Sequence, residues 1–462
     1  MSEQQQFLSP LASRYASQEM LALFSPQKRH TLWHQLWVAL ARAQKEAGLP
    51  ITSKQIVSME AAVGQIHWNL VAKLEEEMQH DVMAHIAAFA SLCPEARGII
   101  HLGATSCYVT DNGDLMQIGE ASHRILTMLR QLLKALSDFA LRYADLPCLA
   151  YTHLQPAQPT TVGKRATLWL YQFMKDLEQG DHLLRHLTFL GVKGATGTQA
   201  SLLALTGGDA LKVEEIEESV AKQLGWKKLQ PVSGQTYCRK QDLSLLAWLA
   251  QIGVSAHKMA TDLRLLSHMG ELEEPRKKSQ VGSSAMPHKR NPMLCERICG
   301  LSRLLITSQE SAAYTASLQW LERTLDDSSI RRILIPEAFL TCDAILSLCC
   351  HVISGLKVYP HVIAQNLERE LPLLMGERLL MAAVKKGVSR EEAHQLLRQA
   401  LEQAFELRQQ GQPLPPPHNL FPLKELSITS QELAKELTSP HLTGLASQQT
   451  KAFIQNHIAP LL

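Results

Sequence analysis

The stretch Gly282-Ser283-Ser284-Ala285-Met286-Pro287-His288-Lys289-Arg290-Asn291-Pro292 brings together residue types that can do chemistry. Two hydroxyl side chains follow a glycine, three side chains able to carry positive charge come next, and Asn-Pro closes the run. It falls within a connection from about Glu271 to Asn291, between two helical patterns. Structureless connections longer than ~12–15 residues are uncommon in compact domains and are usually functional or disordered. Gly282 and Ser284 permit movement and Pro287 limits it, which is the composition of a lid. Arg276, Lys277, Lys278, Lys289 and Arg290 add positive charge. Asn291-Pro292 reads as a helix start, with Asn at the N-cap and Pro at the first helical position. The free N–H groups of such a helix favour an anion. A hydroxyl, cations and a helix N-terminus on one closable loop suit chemistry on a small anionic substrate. Composition alone fits a solvated basic loop or a nucleic-acid contact equally well.

Other stretches carry groups of the same kind. In Gln79-His80-Asp81, the imidazole beside a carboxylate is either an oriented proton carrier or a helix-start pair. The five-residue step from His80 to His85 does not put two imidazoles on one helical face, which argues against a metal pair. Gly103-Ala104-Thr105-Ser106 is a turn rich in donors. His153 lies in the connection Thr152 to Pro159, flanked by hydrogen-bonding groups, and is either solvated or catalytic. Gly191 to Thr198 lacks the spacing of a phosphate-binding loop and reads as a turn. From Glu322 to Arg332, Arg323, Arg331 and Arg332 accompany Ser328 and Ser329, a set suited to carboxylate and phosphate oxygens. A charged helix start explains that stretch as well. Arg14-Tyr15 reads as ordinary surface on residue type alone.

Long helices must position these groups. From Asp114 to about Tyr143, Leu115, Ile118, Ile125, Leu129, Leu132, Leu136 and Phe139 recur at helical steps. Thr160 to Leu187 repeats the pattern with Val162, Ala166, Trp169, Phe173, Leu177 and Leu184 on one face. After Gly234-Gln235-Thr236, the residues Leu245, Leu249, Ile252, Ala256, Met259, Leu263 and Leu266 form a heptad seam that wants partner helices. Met293 to Leu318 and Pro336 to Leu356 are helical again. Such helices each span roughly 40 Å at 1.5 Å per residue and make a bundle. We therefore expect an all-α chain of three helical domains: 1–105 of short helices, 106–358 as the central long-helix bundle with the loop, and 359–462 as a C-terminal helical domain. Seams this long imply that chains pack on one another.

Composition excludes several classes. The formal net charge is +2, so no global field favours nucleic acid or an anionic membrane. Nine cysteines at irregular spacings suit reduced thiols in the cytoplasm rather than a disulfide framework. Cys295 and Cys299 are one helical turn apart, but no second Cys/His pair completes a zinc site. The polar N-terminus lacks a secretory pattern, and no membrane span is expected.

The run Ser-Ser-Ala-Met-Pro-His-Lys-Arg-Asn-Pro closely resembles the signature loop of the fumarase/aspartase superfamily, in the form most similar to the adenylosuccinate lyase family. Fumarases and argininosuccinate lyases have other residues between the serines and the lysine. The likeness runs from Arg14-Tyr15 to the C-terminal helices and is closest to the animal-type form. It implies a fumarase/aspartase-like all-α fold and release of fumarate from adenylosuccinate, giving AMP, and from SAICAR, giving AICAR. It implies Ser283 as general base and His153, in Thr-His-Leu-Gln-Pro-Ala-Gln, as general acid. His80 matches a histidine that contacts the phosphate region and supports the acid. Lys289, Asn291, Thr105 and Ser106 match groups that bind the succinyl carboxylates, and Gln235 matches a substrate-binding glutamine. Arg14, Tyr15, Arg297, Arg323, Ser328 and Arg332 match nucleotide and phosphate contacts. Gln79 stands where the animal-type family has arginine, so Gln79-His80-Asp81 keeps a hydrogen-bond donor there but not the charge. The resemblance also implies a homotetramer whose active sites combine residues of three chains, with no metal and no cofactor.

Overall fold

The computed structural model describes residues 7–277, 279, 285–286, 288–438 and 442–462. Five long helices dominate: Ser106–Arg142, Val162–His186, Lys240–His268, Met293–Ser317 and Asp326–Gly355, of 37, 25, 29, 25 and 30 residues. The chain is all-α, with two small two-stranded sheets as its only sheets among the described residues. The helices form where the apolar stripes lie. Leu115, Ile125, Leu129, Leu132 and Leu136 are each fully buried, and so are Leu249, Ile252, Ala256 and Met259 of the heptad seam. The Asp326–Gly355 helix is apolar and long enough to cross a membrane by composition, but Phe339, Ile345 and Leu346 are buried in protein.

The chain divides into two compact units, each assembled from separate stretches. The first comprises 1–129, 175–257 and 297–349. Its main core gathers Trp33, Trp37, Leu36 and Leu40 of the Pro26–Glu46 helix with Phe89 of the Asp81–Leu92 helix and Ile216 and Val220 of the Ala210–Gln223 helix. Gly180 permits one close approach here. A Cβ at that position would meet Trp248 at 2.4 Å and Leu126 at 2.7 Å, so no larger residue lets these helices touch.

The second unit comprises 130–174, 258–296 and 350–462. Its C-terminal helices close over Leu379, Ala383, Ala393, Leu397, Phe421 and Leu426. It also holds two small antiparallel strand pairs, the hairpin Pro147–Thr152 with Gln155–Thr161 and the pair Leu272–Glu273 with Lys357–Val358, whose strands are far apart in the chain. The first replaces what the sequence suggests is an irregular connection. Pro156 and Pro159 sit in its second strand, which is compatible with a two-stranded ribbon because both strands are edges.

Candidate functional site

A cleft of about 1240 Å³ opens in the first unit. Its wall includes Gln79, His80, Asp81, Ser106, Gln235, Arg323, Ser328 and Arg332, residues drawn from four distant parts of the chain. Local chain geometry sets each one. The Trp68–Met78 helix ends on Gln79 in the left-handed region at φ 51°, and Gln79 Nε2 donates back to the Glu76 carbonyl at 2.8 Å. His80 follows as N-cap of the Asp81–Leu92 helix. Its Nδ1 accepts the Met83 N–H at 3.3 Å, which assigns the ring proton to Nε2. Asp81 Oδ1 accepts the Val82 N–H at 2.8 Å, while Oδ2 receives Arg332 Nη2 at 2.7 Å. Burial pushes the Asp81 carboxyl up, but the bonds from Arg332 and Val82 outweigh it and hold the group below its usual range. Ser106 opens the Ser106–Arg142 helix, with Thr105 one residue outside it and not on the cleft wall.

Part of the same cleft lining is a largely buried charge network that residue spacing did not show. Arg239 donates to Asp327 at 2.7 Å and to Asp111 at 2.9 Å. Arg331 bonds Asp242 at 2.8 Å, pairs with Asp114 at 3.1 Å and also donates to the Tyr237 hydroxyl. Arg29 joins through Asp114 at 2.8 Å, and Arg323 through Asp327 at 2.9 Å. Both Arg239 and Arg331 lie against the Tyr237 ring. The Glu322 to Arg332 stretch thus divides. Both Arg331 and Arg332 line the cleft, but Arg331 is committed to buried carboxylates whereas Arg332 is half exposed. Residue type could not separate these two neighbours, since only burial distinguishes them.

A second missed feature is an aromatic and imidazole wall. His30 stacks on His85 with ring centroids 3.7 Å apart, and Trp33 and Trp68 meet the pair edge-on. All four line the cleft. Burial, reinforced for His30 by the neighbouring His85, lowers His30 to about 3, and burial lowers His85 to about 4. This wall is therefore neutral at physiological pH.

Arg14, Tyr15 and Arg297 are in the same unit but not on the cleft wall. Tyr15 ends the short Leu11–Tyr15 turn, and the Arg297 guanidinium sits over its ring at 5.4 Å.

The second unit carries the remaining expected residues. His153 and Leu154 form the two-residue tip of the first hairpin, between the paired Thr152 and Gln155. Their φ angles of 52° and 59° are both left-handed, as the twist of a two-residue hairpin requires. Neither is glycine, so the tip is held at a conformational cost, and it presents His153 to the outside. Lys289 and Asn291 lie in the second half of the signature loop. Ser283, with Gly282, Ser284 and Pro287, lies outside the described residues. Arg290 is tied to Glu273 at 2.9 Å, and Tyr359 also donates to that carboxylate. The helix after the loop begins at Met293, two residues beyond Asn291. Its first N–H groups are not open to an anion from outside. Glu274 accepts from Leu294 and from Cys295, each at 3.0 Å. The expected anion seat is filled by the chain's own carboxylate, for the same electrostatic reason that suggested it.

All nine cysteines are free. Among the described residues, no group of three or more His, Cys, Asp or Glu side chains is placed to hold a metal ion.

A family model described as Lyase matches residues 14–305. The chain is 45% identical to adenylosuccinate lyase of Saccharomyces cerevisiae over 99% of its own length and 96% of the relative's. It is 42% identical to adenylosuccinate lyase of Schistosoma mansoni, over 100% and 97%. Against adenylosuccinate lyase of Pyrococcus abyssi the figure is 34%, over 94% and 93%. Two solved structures share the fold. One is the 3-carboxy-cis,cis-muconate lactonizing enzyme from Pseudomonas putida, with TM-score 0.86 and 24% identity over 98% of this chain and 99% of that one. The other is fumarate lyase from Mesorhizobium sp., with TM-score 0.83 and 23% identity over 96% and 99%.

Proposed function

The chain belongs to the adenylosuccinate lyase family, and on that premise we propose that it eliminates fumarate from adenylosuccinate to give AMP and from SAICAR to give AICAR. The observation that carries this reading is the cleft itself. Among the groups lining it are the His80 imidazole, the Arg323 and Arg332 guanidinium groups, the Ser106 and Ser328 hydroxyls and the Gln235 amide. That is a receptor for a phosphorylated, carboxylate-bearing molecule.

The chemistry is a β-elimination. A base removes the proton from the succinyl carbon next to a carboxylate, the C–N bond breaks, the C=C bond of fumarate forms, and an acid protonates the departing nitrogen. Negative charge accumulates on the neighbouring carboxylate in the transition state, so cations and N–H dipoles there lower the barrier. Ser283 is the base and His153 the acid in this reading. An alcohol is a poor base unless its alkoxide is stabilised, and Lys289 and Asn291 follow it on the same loop for that purpose. Closure of the loop excludes water and strengthens each of these interactions.

His153 is exposed at a hairpin tip, which suits a residue delivered to another chain's cleft. The reading therefore includes a homotetramer with active sites shared between chains, Arg14, Tyr15 and Arg297 completing the nucleotide contacts with Thr105 at the succinyl end.

The test is direct. Purified protein should release fumarate from both substrates, measured by absorbance and by chromatography of AMP and AICAR. A folded protein that cleaves neither, or that instead cleaves argininosuccinate or aspartate, overturns the proposal.

A further inference from the structure

Gln235 is held by both ends of its amide. Its Oε1 accepts the Cys107 S–H at 3.4 Å, and its Nε2 donates to the Ala195 carbonyl at 3.2 Å. Its backbone N–H donates to the Glu322 carbonyl at 3.0 Å, which fixes where the side chain starts. Gln235 and Cys107 both line the cleft, and Cys107 is 3% exposed.

An amide has two orientations that differ by exchange of oxygen and nitrogen. With the NH2 group turned toward Cys107, the amide oxygen would face the Ala195 carbonyl oxygen and the thiol would face a donor. Both contacts would be lost together. The orientation present leaves the second N–H of Nε2 for the cleft, a donor suited to an anionic or carbonyl oxygen.

The thiol must stay protonated to play this part. A cysteine in the first turn of a long helix would ordinarily gain thiolate character. Burial, assisted by the nearby Asp111 carboxylate, instead pushes the Cys107 thiol to about 12, against the lowering effect of Arg323, Arg239 and the Thr110 hydroxyl. Cys107 therefore remains an S–H donor around neutral pH.

We infer that Cys107 is a positioning residue that locks the Gln235 amide with its free N–H toward the substrate. The inference rests on the reading of Gln235 as a substrate-binding residue. Cys107 itself performs no chemistry and is set apart from reactive cysteines by its burial.

Two readouts test it. The first is kinetic. Cys107→Ala should raise KM for adenylosuccinate about 2- to 10-fold, the worth of one hydrogen bond, with kcat changed much less. Cys107→Ser, which keeps a donor of similar size, should recover most of that difference. Equal KM values for the alanine and serine variants overturn the inference, as does an equal fall in kcat for both. The second readout needs no activity. The S–H stretching band of Cys107, found by infrared difference against Cys107→Ala, should shift to the position of an unbonded thiol in Gln235→Ala. An unshifted band overturns the contact. A shifted band in a protein that cleaves neither nucleotide keeps the Cys107–Gln235 lock and rejects the assignment of the substrate.

Discussion

Arg332 Nη2 lies 2.7 Å from Asp81 Oδ2, so the cation offered to the cleft already has an internal partner. Both side chains are partly solvated. A pair of this kind is worth little to stability and is easily exchanged for a stronger ligand. A phosphate dianion is such a ligand. Arg332→Ala should raise KM for adenylosuccinate about 10- to 100-fold, as loss of a charge-assisted hydrogen bond does. The same variant should act on the dephosphorylated nucleoside with unchanged KM. Equal effects on both compounds would remove Arg332 from phosphate binding.

Ser283→Ala and His153→Ala should each lower turnover about 10²–10⁴-fold, the usual weight of an acid or base group. If the two residues act in one site from different chains, mixing the two inactive variants under conditions of subunit exchange restores part of the activity. Mixed assemblies contain some sites with both groups intact. No recovery after proven exchange would place both residues on one chain.

The buried network predicts a stability effect with no counterpart in chemistry. Arg331 is 6% exposed and bonded to Asp242, Asp114 and Tyr237. Removing it leaves carboxylates buried without their partner, which costs about 3–5 kcal/mol. Arg331→Met should therefore lower the urea midpoint markedly, whereas Arg332→Ala, at a partly solvated pair, should hardly move it. Denaturation curves of the two neighbours give the comparison.

Stability should fall on the acid side. Burial holds His30 at about 3 and His34 and His85 at about 4, against 6.5 for the unfolded chain. Unfolding takes up protons wherever the unfolded imidazoles are charged and the folded ones are not. Their contribution is thus complete above pH 6.5 and is lost as pH falls toward 4. Asp176 acts in the opposite sense. Burial raises its carboxyl to about 7, against a Ser255 hydrogen bond that lowers it, so its contribution is complete below 3.8 and is lost as pH rises through 7. In thermal melts between about pH 4 and 7, His30→Phe should flatten the loss of stability toward acid, and Asp176→Asn should remove the opposing loss toward neutral pH. Unchanged pH profiles in both variants would reject these assignments.

The helices were legible because their cause is local and periodic. The stripe from Leu115 to Leu136 needs one buried face and nothing else, and those residues are buried. The hairpin around His153 was not legible. Its second strand contains two prolines, and its tip uses two non-glycine residues at positive φ. Neither is a sequence signal for a ribbon. The candidate residues His80, Asp81, Gln235, Arg323, Ser328 and Arg332 could be named one by one from their motif. That they share a wall could not, since the stretches lie far apart in the chain.

By itself, then, the order of residues determined the bundle, through apolar spacing, and the family of the chain, through a loop motif and the residues around it. Tertiary packing decided how neighbouring groups of one type are used. It bound Arg331 to buried carboxylates and left Arg332 half exposed, and it gave Glu274 the helix terminus that the loop motif had seemed to reserve for a ligand. It also kept Cys107 a thiol where its place in a helix would favour a thiolate. The reason is common to all three. Charge, donor strength and access depend on the dielectric and on partners brought in from distant segments, and neither is written in the spacing of residues along the chain.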